Sequence, residues 1–372
     1  MRKTLVIAIA GVLIAASTMF MPRVSGAATF YLRTGQTTLT MPDGTDVTMW
    51  GFAQDSAAGA GDGTVTIPGP RLTIPPGDAT LTIQLENTLD DPVSLIIPGL
   101  PTTMSPVKRN GRIYSLTHEA APGGSATYTW NNVRPGSFIY HSASHMQVQV
   151  QMGLSGAVTK DHAAGQAYPG AMYDQEEIVF YSEIDPVIHK AVADGSYGPG
   201  LSMTSTIDYE PIYFLVNGDA DQSFMGAQAA AGTTVLFRFF NGALTTKAPF
   251  IRGGHMTMLA EDGFEKPYPI QRFGVDLPAM KTKDGLFTVP AGANMQAASD
   301  GEANIKIADR RAYISKGVLP GDGGTTPTED PGGGDPGGGD PGGGTGGGAT
   351  TADASTGAGG GGGGCFIGAI QP

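Results

Sequence analysis

Two of the chain's six histidines stand four residues apart in Tyr140-His141-Ser142-Ala143-Ser144-His145-Met146, and Met152 follows closely. Imidazole nitrogen and thioether sulfur are borderline and soft donors of the kind that hold copper. The backbone decides whether they act together. On an extended strand His141 and His145 share a face but stand too far apart to chelate one ion. On a helical turn the same spacing brings them side by side. His255 is a second candidate, within Gly253-Gly254-His255-Met256-Thr257-Met258, where strand alternation puts His255, Thr257 and Leu259 on one face. Beside the metal reading stands a structural one: a packed, hydrogen-bonded His141, a solvent-facing His145, and a His255 seated among strand methionines. His118, His162 and His189 sit in polar or connecting segments and lack ligand spacing.

Other chemistries have fewer residues behind them. Glu183 and Asp185 flank Ile184 as a carboxylate pair, but the following Pro186 reads them as turn and capping residues. Asp219-Ala220-Asp221 lacks the oxygen-rich continuation of a calcium loop. The sequence holds no nucleophile elbow, phosphate loop or zinc-protease helix. Its single cysteine, Cys365, lies in the C-terminal tail. Residues before the tail therefore form no disulfide and offer no thiolate ligand. A net charge of -12 makes nucleic acid a poor partner.

The elements that must position these side chains are short strands between turns. Leu81, Ile83 and Leu85 alternate with Thr82, Gln84 and Glu86, the period of a half-buried strand. Thr29 to Arg33, Thr38 to Met41, Arg71 to Ile74, Thr127 to Trp130 and Phe138 to Tyr140 add further β-rich runs. Pro42-Asp43-Gly44, Pro68-Gly69-Pro70 and Pro76-Gly77-Asp78 supply turns. Later come Ile178 to Tyr181, Ile212 to Val216 and Val235 to Phe240, two of them closed by Asn-Gly dipeptides at 217–218 and 241–242. Pro186 to Ala193 reads as a short connecting helix. The class is all-β, with two tandem β-sandwiches.

The ordered set Pro68-Gly69-Pro70, Pro76-Gly77-Asp78, Gly136-Ser137-Phe138-Ile139-Tyr140-His141-Ser142, Gln147 and Gly153-Leu154-Ser155-Gly156 resembles the first cupredoxin domain of a multicopper oxidase. Asn217-Gly218, Arg238-Phe239-Phe240-Asn241, Glu261-Asp262-Gly263 and Asp309-Arg310-Arg311 resemble the second. The run Tyr181-Ser182-Glu183-Ile184-Asp185-Pro186 is similar to a bacterial two-domain group. The resemblance implies tandem Greek-key sandwiches, a copper cofactor and a homotrimer. It also implies paired His-x-His ligands and a cysteine between histidines. Here Ile96 and Pro98 occupy the first ligand pair, Ala143 replaces the partner of His141, and the cysteine motif is absent. The copper set is therefore degenerate, and a four-copper mechanism is not expected of this chain alone.

The ends carry separate messages. Arg2 and Lys3 before the apolar run Leu5 to Ala16, with Ser25-Gly26-Ala27 behind, read as an export signal. From Pro320 the unit Asp-Pro-Gly-Gly-Gly recurs at 330, 335 and 340 before a polyglycine run, the composition of a flexible spacer. It ends in Cys365-Phe366-Ile367, similar to short C-terminal sorting signals of exported bacterial proteins, with Cys365 as the attachment point. The expected organisation is a signal peptide (1–27), two cupredoxin-like domains (28–162 and 163–319), a linker (320–364) and a terminal motif (365–372). Two functions follow. One is a periplasmic, extracellular or cell-surface scaffold or binding protein that lost most copper ligands. The other is a copper-binding oxidoreductase with a reduced site around His141, His145 and Met152, shared between subunits and joined by His255.

Overall fold

The computed structural model describes residues 26–220, 228–251 and 254–290, together with two short strands, Glu302–Asn304 and Ile307–Asp309. The export-signal run, Asp221, the glycine-rich spacer and Cys365 lie outside the described residues.

In the first sandwich one sheet has the spatial order β2 (Asp46–Asp55), β1 (Gly26–Thr40), β4 (Asp78–Glu86), β5 (Ser125–Asn131). The facing sheet is β3 (Gly69–Ile74), β7 (Ser155–Lys160), β6 (Gly136–His141). The expected alternation holds in β4: Leu81, Ile83 and Leu85 are fully buried while Thr82, Gln84 and Glu86 are half-exposed. They join Trp50, Phe52, Tyr128, Trp130, Phe138 and Tyr140 in one core between the sheets. Burial of so much aromatic and aliphatic surface is the main force holding the sandwich together.

The two β-rich runs at 29–33 and 38–41 are one strand. Pairing with β2 continues without a break from Tyr31 opposite Asp55 to Thr40 opposite Asp46. Gly35, between the two runs, sits opposite Gly51. β2 itself is buried on both faces through Met49-Trp50-Gly51-Phe52-Ala53, so it lacks the period-2 signal of a half-buried strand.

The second sandwich is built on a six-stranded sheet in the order β9 (Tyr213–Val216), β8 (Gln175–Ile184), β10 (Thr234–Asn241), β13 (Thr282–Thr288), β11 (Met256–Glu261), β12 (Phe264–Arg272). Here β10 is the organising strand. Val235, Phe237 and Phe239 enter the local core with Val179, Met256, Met258 and Phe287. The alternate residues point the other way: Phe240 stacks with Phe180 (5.8 Å) against Ile139 and Ala157 of the first sandwich. Arg238 lies between them with no exposed surface.

Arg238 is held by Glu176 (Nε to Oε1, 2.5 Å), Asp161 and Ser137 Oγ (3.1 Å). Ser137 and Tyr168 both donate to the buried Asp284 carboxylate. Burial raises the Asp284 pKa, and Arg238 only partly opposes it. Burial also works against the Glu176 carboxylate, but Arg71 and Arg238 outweigh it and hold that group below its usual range.

A second clamp comes from Arg134, which donates to the carbonyls of Gly263 and Asp262 (both 2.9 Å) and lies over the Phe264 ring (3.8 Å). Backbones touch here: a Cβ on Gly136 would fall 2.5 Å from the Gly263 Cα. Only glycine permits this approach, and φ is 141° at Gly136 and 68° at Gly263.

The expected helix spans Pro186–Ala193, capped by Asp185, whose carboxylate accepts the Val187 N–H (2.9 Å). Glu183 is not a turn residue. It ends β8 as a buried acceptor for Lys247 Nζ (2.8 Å) and for the Leu244 and Thr245 amides. The apolar stretch around it reads as a strand, and its counter-ion is 64 residues away in sequence.

Candidate functional site

β6 is buried along its whole length and ends at His141. Its outer edge there pairs with Ile96 through reciprocal N–H to carbonyl bonds of 3.0 Å. The His141 imidazole is buried, and Nδ1 lies 2.8 Å from the Ser142 carbonyl. A carbonyl only accepts, so Nδ1 carries the proton and Nε2 the lone pair. Burial pushes the His141 pKa down to about 4, with the Ser142 carbonyl pulling weakly the other way.

Residues 142–144 are not helical. The only helix in the loop is a single turn, Met146–Gln149, with His145 at its N-cap in a left-handed conformation (φ 43°). The i,i+4 helical geometry between His141 and His145 is therefore not formed. His141 points inward; His145 is exposed and stacks on Tyr114 at 6.2 Å. Met152 is fully buried in the first core. His255 is exposed one residue before β11 and meets the edge of Phe273 at 6.3 Å. Met256 and Met258 enter the second core, while Leu259, at a β-bulge, packs with Ala260 and Tyr168.

Hydroxyls fill the interior beside His141. Ser94 Oγ lies 2.7 Å from Ser115 Oγ and 2.9 Å from Ser144 Oγ. Ser144 donates to Glu119 (2.8 Å), which also takes Arg109 (3.3 Å). Ser142 Oγ donates to Gln149 Oε1 (2.5 Å), and Gln149 Nε2 in turn donates to the Pro92 carbonyl (3.0 Å). These are hard oxygen groups bonded to one another, a poor match for copper, which selects imidazole and sulfur. Ala143 bonds the same frame through its amide to Ser94 O (3.3 Å). Among the described residues, no three or more His, Cys, Asp or Glu side chains converge as a metal cage. The residues present do not fit a multinuclear copper centre.

His189, read as a residue of a connecting segment, is buried, and its Nδ1 lies 2.9 Å from Thr48 O, so it stitches the helix to β2. The missed signal is its place among the buried residues Ile188 and Ala191 of Pro186–Ala193.

A multicopper oxidase family model matches residues 45–163. That match covers most of the first sandwich. Solved structures extend the likeness in fold across both sandwiches. The blue copper oxidase from Nitrosomonas europaea superposes with a TM-score of 0.57 at 17% identity, over 77% of this chain and 80% of that one. The copper nitrite reductase from the same organism gives 0.53 at 17%, over 76% and 93%. A laccase from Botrytis aclada gives 0.51 at 18%, over 81% and 56%. No curated protein sequence matches the chain. The fold is thus the expected pair of cupredoxin-like sandwiches, and the family implies copper. Among the described residues no helix is long and apolar enough to cross a membrane.

The His141 environment makes a pH prediction. A histidine whose folded pKa lies below its unfolded value of about 6.5 leaves the unfolded chain binding more protons. Its penalty is absent above that value and grows as pH falls toward the folded pKa. By pH 5 the loss is about 2 kcal/mol, and the full effect is about 3 kcal/mol. Denaturant midpoints of the wild type and His141→Gln at neutral and mildly acidic pH test this. The variant should show a flatter pH dependence; equal slopes would remove His141 as the source.

Proposed function

We propose that the chain is an exported two-cupredoxin protein that acts as a cell-surface scaffold or binding protein and lacks a complete copper set. The observation that carries this reading is that serine hydroxyls fill this interior, Ser94 bonded to Ser115 and Ser144, and Ser142 to Gln149. A site kept for three copper ions would direct imidazoles inward there. Instead, Ile96, Pro98 and Ala143 stand at the positions that the family resemblance gives to ligands. Export rests on the N-terminal Arg2-Lys3 and apolar run, and surface attachment on the spacer ending at Cys365.

A second reading keeps a reduced copper site. It is favoured by the His141 Nε2 lone pair, which burial holds unprotonated at neutral pH. In that reading His145 or His255 supplies a further imidazole, from a second subunit where one chain cannot bring them together.

Copper stoichiometry decides between the two. The full chain, loaded with copper and dialysed, is expected to retain less than one equivalent and to show no nitrogen-coupled paramagnetic resonance signal. A stoichiometric signal abolished by His141→Ala would overturn the scaffold reading in favour of the reduced site.

A further inference from the structure

Strand β12, at the edge of the six-stranded sheet, parts from its neighbour midway along its length. Met258 of β11 pairs with Ile270, and Ala260 pairs with Glu265, so Leu259 alone faces the four residues 266–269. Pro267 and Pro269 lie in this bulge and have no N–H to give the ladder. A cleft of about 710 Å³ runs along the bulged strand, within the size range of small-molecule sites.

One wall of the cleft is the inner face of the sheet. Arg272 stands opposite Met256 and Ile270 opposite Met258. Both therefore project from the face on which those methionines enter the second core. Lys283 is paired with Phe239 and shares that face. The other wall is aromatic. Phe250 pairs through its backbone with Gly274, and its ring stacks on Phe273 at 5.4 Å. Ile270 and Phe273 are 42% and 50% exposed, apolar surface left in contact with water.

The charge of the lining is opposite to that of the chain. Net charge is -12, yet Lys266, Arg272 and Lys283 stand here against one carboxylate, Asp276, among the described residues. Lys283 is engaged by Glu261 (3.6 Å). Lys266 and Arg272 have no carboxylate partner among the described residues. Lys266 is half-buried, and a cleft with apolar walls strengthens the pull of its cations on an anion. The guanidinium fork of Arg272 matches a carboxylate with two parallel bonds. An inorganic anion would leave the aromatic wall in water, and a neutral aromatic would leave both cations unpaired.

We propose that this cleft binds a small aromatic carboxylate. Arg272 and Lys266 hold the carboxylate, and the ring lies against Phe273, Phe250 and Ile270. The site uses no residue of the copper loop and stands whether or not copper binds.

Isothermal titration of the chelator-treated full chain with naphthoate, and with naphthamide as its neutral counterpart, tests the proposal. Chelator treatment keeps a bound metal from taking the carboxylate. The wild type should bind naphthoate at one site with a Kd below about 1 mM, and naphthamide at least about tenfold more weakly. K266Q/R272Q should lose this preference and bind the two compounds equally. Both positions lie on an edge strand and make no ion pair, so the fold is retained, which circular dichroism checks. Phe273→Ala should weaken both compounds alike, which separates the ring contact from the charge. No binding of naphthoate at about 1 mM, or equal affinity of the wild type for acid and amide, would overturn the proposal. A preference for the acid that survives in K266Q/R272Q would overturn it as well, by placing the anion elsewhere on the chain.

Discussion

Replacing Arg238 by methionine is expected to destabilise the protein by about 3–5 kcal/mol, the largest loss of any single substitution between the two sandwiches. The side chain is fully buried and is the shared counter-charge of Glu176, Asp161 and Asp284. Methionine fills much of the volume, so the loss is electrostatic rather than a cavity effect. It leaves the buried Asp284 without its cation and takes one partner from Asp161 and from Glu176, which keeps Arg71. For a unit of this size the loss corresponds to a fall of roughly 10 °C in Tm. The pH dependence separates this cause from general damage. Without Arg238 the stranded carboxylates take up protons more readily, so the difference from wild type should shrink as pH falls toward 4. Lys190→Ala removes only an exposed i,i+4 pair and should change stability by about 0.5 kcal/mol or less. Thermal unfolding of both variants across this pH range checks the assignment. An Arg238→Met deficit that is small, or constant with pH, would show that the sandwiches are held by Phe180, Phe240 and Ile139 alone.

What could be read in the sequence tracks how local the physical cause is. The alternation of Leu81, Ile83 and Leu85 is a property of one strand, and β4 followed from it. Pro186 after Asp185 gave the helix for the same reason: the cap and the first turn lie within three residues. β2 was silent because both of its faces are covered, which removes the period that marks a half-buried strand. β12 was obscured by Pro267 and Pro269, which belong on an edge strand, where no neighbour needs their missing amides. The ionic partners of Arg238 lie 46 to 77 residues away, so the motif that marked the second domain showed nothing of the ion network it anchors. At the candidate site, His141 stood out by type and by its place at the end of an apolar run. The serines did not, because a serine in isolation reads as turn or surface. Only folding brings Ser94, Ser115 and Ser144 to one point.

That frame leads to the second large effect, Ile96→His, which is expected to create a divalent copper site where the wild type has none of comparable strength. Ile96 and His141 exchange both backbone bonds at 3.0 Å, the closed pairing of two antiparallel strands, so their side chains leave the same face with Cβ atoms about 5 Å apart. Two imidazoles at that separation can share one ion. His141 already offers the neutral form that metal binding requires, because burial holds its pKa near 4. Its Ser142 bond fixes Nδ1 as the protonated atom and leaves Nε2 free to coordinate. The substitution exchanges a half-buried aliphatic group for one of similar size, so the expected cost in stability is about 1 kcal/mol. Isothermal titration with Cu²⁺ should show one site per chain, at least about tenfold tighter than wild type, or about 1.4 kcal/mol. Ile96→His combined with His141→Ala should return to the wild-type value. A folded single variant with unchanged affinity would mean that the His141 ring, held by the Ser142 carbonyl, does not turn Nε2 toward position 96. A gain would show that the backbone at 96 and 141 presents two imidazoles to one ion.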